Sequence, residues 1–179
     1  MRTIPSNSDV AGLADVLVRK VTQNGMNLAD LSLPGPVLVV FLRHAGCPFC
    51  RESLADIAAA RATVEGAGIR IVVVHMKSTA MAGLLARYGL ADIDWIADRN
   101  QELYKAFGLR RGDFPQFLGP RVWFRGLSIV ARGHGFGWPD ADAGQLAGAF
   151  LIHRCEVLRR FRAMSPADRI PVAAVAGGV

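Results

Sequence analysis

Cysteine is scarce in this chain of 179 residues: there are only three, too few for a disulfide scaffold of this length. Two of them, Cys47 and Cys50, form a C-x-x-C, which points to redox or metal chemistry rather than cross-linking. Long hydrophobic runs are missing as well. The longest, residues 37–42, is strand-sized and far short of a bilayer span, so no membrane segment is expected. Residues 1–10 lack the basic-then-apolar pattern of a secretory signal, and a cytoplasmic location is the matching expectation. The formal charge is +6, from 21 basic and 15 acidic residues, and arginine greatly outnumbers lysine. No basic run is interleaved with stacking aromatics, so no nucleic-acid partner is expected. Internal repeats and a second domain are also missing; residues 1–179 read as one domain.

What is present is apolar patterning, with 51% of the residues hydrophobic, enough for a buried core. Ser8 is placed to cap a short helix over residues 9–14, and the β-branched stretch 16–22 reads as a strand. Asn24-Gly25 is a hairpin-turn signal, with residues 26–28 pairing back. Residues 37–42 read as a strand buried on both faces. A helix over 51–65 follows, with Leu54, Ile57, Ala58 and Val64 near helical spacing. Then come a strand at 69–75, a helix at 79–88, a strand at 93–97, and a helix to Phe107 capped by Asn100. This alternation predicts βαβ units around a mostly parallel sheet. Residues 149–153 and 156–161 predict a terminal hairpin turning near Arg154-Cys155. The expected core is 37–42, 69–74, Leu54, Ile57, Leu84 and Leu85. The tail, 165–179, is expected to be loosely packed.

The cysteine pair follows a buried strand, and Pro48 suits the first position of a helix. Cys47 therefore falls at the helix N-cap, where free N–H groups and the helix dipole favour a thiolate. Cys50, one turn inside, is near enough to close a reversible disulfide. Arg43, His44 and Arg51 bracket the pair with positive charge and are candidates for tuning the thiolate; His44 equally suits covering the strand end. A zinc site would need two more ligands from Cys155, His44, His75, His134 or His153, and there is no second C-x-x-C. No metal is expected. Cys155 reads as a bystander, His75 as a packed core residue, and Arg110-Arg111 and Arg159-Arg160 with Arg162 as solvated charge.

The stretch Phe41-Leu42-Arg43-His44-Ala45-Gly46-Cys47-Pro48-Phe49-Cys50-Arg51-Glu52 resembles the signature of the peroxiredoxin-like branch of the AhpC/TSA superfamily. That branch includes selenoprotein L and the prostamide/prostaglandin F synthase-like proteins. The resemblance continues through Trp95-Ile96-Ala97-Asp98, residues 103–109, 119–127 and 145–152, and spans about residues 16–162. It implies an α/β thioredoxin-like fold, three layers α/β/α with a mixed central sheet. It also implies no organic cofactor, and thiol-dependent reduction of a peroxide or disulfide at Cys47 and Cys50. If Cys50 takes the peroxidatic position of the peroxiredoxin motif P-x-x-x-T-x-x-C, Cys47 replaces threonine and Arg43 replaces proline. Gly148 stands where thioredoxin and glutaredoxin have a cis-proline.

The leading expectation is an enzyme with a peroxide or disulfide substrate and an external thiol reductant, with a homodimer open as its assembly. In a thioredoxin-type assignment Cys47 attacks and Cys50 resolves; in a peroxiredoxin-type assignment the roles swap. The rival expectation is a redox-sensing interaction protein, in which the same pair switches partner binding without rapid turnover. Residues 110–145 read as an insertion rich in glycine, proline and aromatics, with a helix over 123–130. Trp123 and Phe124 would form an apolar wall beside the cysteines, suited to an organic hydroperoxide.

Overall fold

A computed structural model describes residues 7–76, 81–112, 120–134, 137, 142 and 144–177. The buried run forms β1 (Val37–Phe41), which pairs in parallel with β2 (Arg70–His75); Val39 faces Val72 across the ladder. β3 (Asp94–Ala97) continues the parallel half. On the other side β1 pairs antiparallel with β4 (Gly148–His153), which returns as β5 (Glu156–Arg162). The sheet order is β3-β2-β1-β4-β5. The hairpin turn falls at Arg154 and Cys155, with φ 50 and 65, the left-handed pair that a two-residue connection requires.

Alternate residues of β1 bury in opposite directions, which gives two cores. Leu38 and Val40 pack with Leu54 and Ile57 of α3 (Pro48–Gly66) and with Leu84 and Leu85 of α4 (Met81–Arg87). Val37, Val39 and Phe41 pack with α1 (Asn7–Arg19), α2 (Leu28–Leu31) and α5 (Glu102–Ala106). The architecture is therefore α/β/α around a mixed five-stranded sheet. The insertion holds α6 (Pro120–Ile129), extended by a wider turn over Val130–His134, so a helix does cover the expected 123–130. The insertion is closed at its base, where Gly112 N–H donates to Gly144 C=O at 2.8 Å and Arg111 bridges Gln145.

Three expectations are corrected. Residues 16–19 are helical, not a strand: Leu13, Val16 and Leu17 form an i, i+3, i+4 stripe against the second core, and that burial outweighs β-branching. The Asn24-Gly25 turn forms, but only Val21 pairs back, onto Asn27, because the Asn27 side chain accepts from Asp30 N–H at 2.8 Å and starts α2. The tail is packed, not loose. Its helix α7 (Val172–Ala176) buries Val172, Val175 and Ala176 in the α3 core, again at i, i+3, i+4. The start of α5 also differs in detail. It is capped by Asp98, not Asn100; the Asp98 carboxylate accepts from the N–H groups of Glu102 and Leu103 at 3.2 and 2.7 Å.

Candidate active site

β1 delivers the chain to the site. Leu42 N–H still bonds Val74 C=O at 2.9 Å, and then the backbone leaves the sheet. Cys47 N–H closes a turn onto His44 C=O at 3.2 Å, Cys47 adopts extended geometry (φ −76, ψ 122), and Pro48 opens α3. Cys47 is thus the N-cap residue and Cys50 lies in the first turn. Both are 2% exposed and reduced. They belong to the core on the α3 side, whereas Cys155 packs against the opposite core, its N–H on Ser32 Oγ at 3.2 Å.

Arg43 is the residue that sets the electrostatics. It is buried, its Nη2 lies 2.6 Å from Cys47 Sγ, and its own backbone N–H lies 3.2 Å from Cys50 Sγ. Burial pushes the Cys47 thiol up, but a hydrogen bond from Cys50 and the Arg43 charge reverse this and bring it to about 6. Cys50 moves the other way. Its burial, and its hydrogen bond to an anionic neighbour, hold it well above the usual thiol range, against the opposing charges of Arg43 and His44. The two thiols therefore differ, Cys47 favouring the thiolate and Cys50 favouring the protonated form.

The other bracketing residues have distinct places. His44 is buried beside the pair, and its charge acts on Cys50. Arg51 reaches back to the loop, Nε to Ala45 C=O at 2.9 Å, and so shapes the turn around the thiols. The insertion crosses the same loop: Gly137 N–H donates to Gly46 C=O at 3.0 Å, and a Cβ on Gly137 would lie 3.1 Å from Gly46 Cα. Only a glycine fits that approach without displacing the backbone.

Helix α6 does lie against the start of α3, through residues the sequence reading did not single out. Glu52 is buried and paired with Arg125 at 2.8 Å and Arg132 at 3.4 Å, and the Arg125 guanidinium sits 5.9 Å from the Phe49 ring centre. Phe124 is 76% exposed, on the outer side of α6; the Trp123 side chain lies outside the described residues. The signal for Glu52 was available in principle: an acid two positions after Cys50, with several arginines in the insertion. Nothing in the one-dimensional pattern chose Arg125 from among them. Among the described residues no three His, Cys, Asp or Glu side chains cluster as metal ligands.

The chain is 26% identical over 163 residues to prostamide/prostaglandin F synthase of Salmo salar, covering 87% of this chain and 80% of that protein. It is 27% identical over 170 residues to the Homo sapiens protein of the same name, covering 88% and 82%. A cysteine-to-serine mutant of Xanthomonas campestris peroxiredoxin Q superposes with a TM-score of 0.61 at 16% identity, covering 91% of this chain and 88% of that one, which shows a shared fold. The AhpC/TSA family model matches residues 13–159, from α1 through both cysteines and into β5, and the chain therefore belongs to the AhpC/TSA family.

Proposed function

We infer that the chemistry is thiol-based redox, which family membership supports. We propose that the protein is a thiol oxidoreductase that reduces peroxides or disulfides, with Cys47 as nucleophile and Cys50 as resolving thiol. The observation that carries this is the buried Arg43 guanidinium 2.6 Å from Cys47 Sγ. With a hydroperoxide, the Cys47 thiolate attacks one peroxide oxygen and the O–O bond breaks. The alcohol leaves after taking a proton from solvent, and Cys47 becomes a sulfenic acid. Cys50 then loses its proton and attacks the Cys47 sulfur; the S–O bond breaks, water leaves, and a disulfide forms. An external thiol supplies the two electrons that restore the pair. With a disulfide substrate, the Cys47 thiolate attacks one sulfur, the substrate S–S bond breaks and one thiolate leaves; Cys50 then loses its proton and attacks the Cys47 sulfur of the mixed disulfide, releasing the second thiolate. The swapped assignment, with Cys50 attacking first, is disfavoured because the Arg43 guanidinium contacts Cys47 Sγ and because Cys50 donates to that anionic neighbour and so keeps its proton.

The test is mass spectrometry after one equivalent of hydroperoxide. Cys47→Ser should yield no sulfenic acid, Cys50→Ser should stop at the Cys47 sulfenic acid, and Cys155→Ser should form the disulfide as the parent does. A sulfenic acid on Cys50 in the Cys47→Ser protein, or a requirement for Cys155, overturns the assignment. Absence of multiple turnovers with any small thiol or disulfide reductant would favour the redox-switch reading instead.

A further inference from the structure

We propose that Tyr104 is a positioning residue of the thiol pair: its hydroxyl, donating to the Leu42 carbonyl, holds the Leu42–Arg43 peptide so that the Arg43 N–H points at Cys50 Sγ. The inference rests on the reading of Cys50 as the resolving thiol.

Tyr104 belongs to α5, on the sheet face opposite α3. It is fully buried, with its ring edge-on to Phe41 at 5.0 Å, and α5 is anchored by the Asp98 cap. Its hydroxyl has one proton and two carbonyl neighbours, Leu42 C=O and, at 3.2 Å, Val74 C=O. Val74 C=O already accepts the Leu42 N–H. Leu42 lies one residue beyond β1, so its carbonyl has left the ladder and Tyr104 supplies its donor. The other end of the same peptide unit is the Arg43 N–H, 3.2 Å from Cys50 Sγ.

A peptide unit is planar, so fixing the direction of its carbonyl fixes the direction of its N–H. Donation to the carbonyl also polarises that N–H and strengthens what it donates. Burial, with Cys50 when it ionises and the Asp98 carboxylate adding to it, holds the Tyr104 hydroxyl well above the usual phenol range, so it stays a neutral donor. The charged groups acting on Cys50 are Cys47 at the helix start and Arg43 and His44 from the loop. Arg43 thereby serves both thiols through different atoms: its guanidinium holds Cys47, and its amide, aimed by Tyr104, supports Cys50 when Cys50 must ionise to attack.

The experiment uses the full chain with Tyr104→Phe. The pH dependence of iodoacetamide alkylation at each cysteine is read by mass spectrometry on the reduced protein. The lifetime of the Cys47 sulfenic acid is read by dimedone trapping after one equivalent of hydrogen peroxide. The Cys50 midpoint should rise while the Cys47 midpoint stays, and the sulfenic acid should persist about three- to tenfold longer, as loss of one hydrogen bond implies. A second arm places 3-fluorotyrosine at position 104 in a Tyr88→Phe background. The more acidic phenol is a stronger donor, and the Cys50 midpoint should fall. This arm decides the matter if Tyr104→Phe does not fold. An unchanged Cys50 midpoint, equal movement of both thiols, or shifts of one sign in both arms overturns the role of Tyr104. If the parent protein forms no sulfenic acid, the peroxide route falls, while the Cys50 alkylation profile still decides Tyr104.

Discussion

Arg43→Met tests the electrostatic core of the proposed mechanism. Methionine keeps an apolar stem near Phe49 and removes the guanidinium that lies 2.6 Å from Cys47 Sγ. Cys47 is lowered from the ordinary 9.0 to about 6, against the burial that acts in the other direction. Without Arg43 the hydrogen bond from Cys50 still favours the thiolate while burial regains ground, so a return to the ordinary thiol value is the upper limit of the change. In that limit the thiolate fraction at pH 7 falls from about nine-tenths to about one-hundredth, roughly ninetyfold. A less acidic thiol gives a more nucleophilic thiolate. With a Brønsted slope of about 0.4–0.5, the same rise returns roughly 15- to 30-fold.

The net expectation is therefore modest at neutral pH and large in the pH profile. The second-order rate of Cys47 with iodoacetamide should fall about three- to sixfold at pH 7. It should then climb with pH, cross the parent rate between about pH 7.5 and 7.8, and exceed it about tenfold or more by about pH 10. The parent rate should be flat once the pH passes well above the Cys47 value of about 6. Arg43→Lys should fall between the two, since lysine keeps the charge but not the planar fork. Superposable profiles for the parent and Arg43→Met, both with a midpoint near 6, would refute the assignment of the thiolate to Arg43.

Two further outcomes follow from the packing around the site. Glu52→Gln removes the buried charge shared by Arg125 and Arg132, which are 23% and 54% exposed. The exposure of both arginines limits the cost to about 1 kcal/mol, so the sharper readout is faster amide exchange in α6 with α3 unaffected; unchanged exchange would show that this ion pair does not hold α6 in place. Gly148→Ala puts a Cβ 2.6 Å from Leu109 Cδ2 and 2.9 Å from the Phe161 carbonyl oxygen. The leucine end can yield but the backbone cannot, so a loss of about 1–3 kcal/mol is expected in the denaturant midpoint, and an unchanged midpoint would mean that β4 and β5 separate freely there.

The site region was legible to different depths. The strand, the proline and the cysteine spacing sit within fourteen residues of one another, so their geometry is local, and Cys47 at the N-cap with Cys50 one turn in follows from helix periodicity alone. Arg43 was visible as nearby positive charge, and its direct contact with Cys47 required only the short turn closed by His44. Residues 16–19 were misread because β-branching is a weak preference, while the buried stripe that makes them helical exists only against the second core, shared with α2, α5 and the sheet. The tail was misread for the same reason: five residues of helix have no stability of their own and form because α3 and β4 offer them a core.

By itself, the sequence determined the buried β1 run, the helix that starts at Pro48, the hairpin turn at Arg154-Cys155, and a thiol pair at a strand-to-helix junction. These are settled by side-chain periodicity and backbone preference within a few turns of chain. Only the tertiary structure decided that Arg125, not Phe124, faces the start of α3, that Gly137 crosses Gly46, and that the Tyr104 hydroxyl reaches through the sheet to the Leu42 carbonyl. Those partners are 73, 91 and 62 positions apart. What joins them is the order in which the strands cross over, a global arrangement that no local pattern of residues encodes.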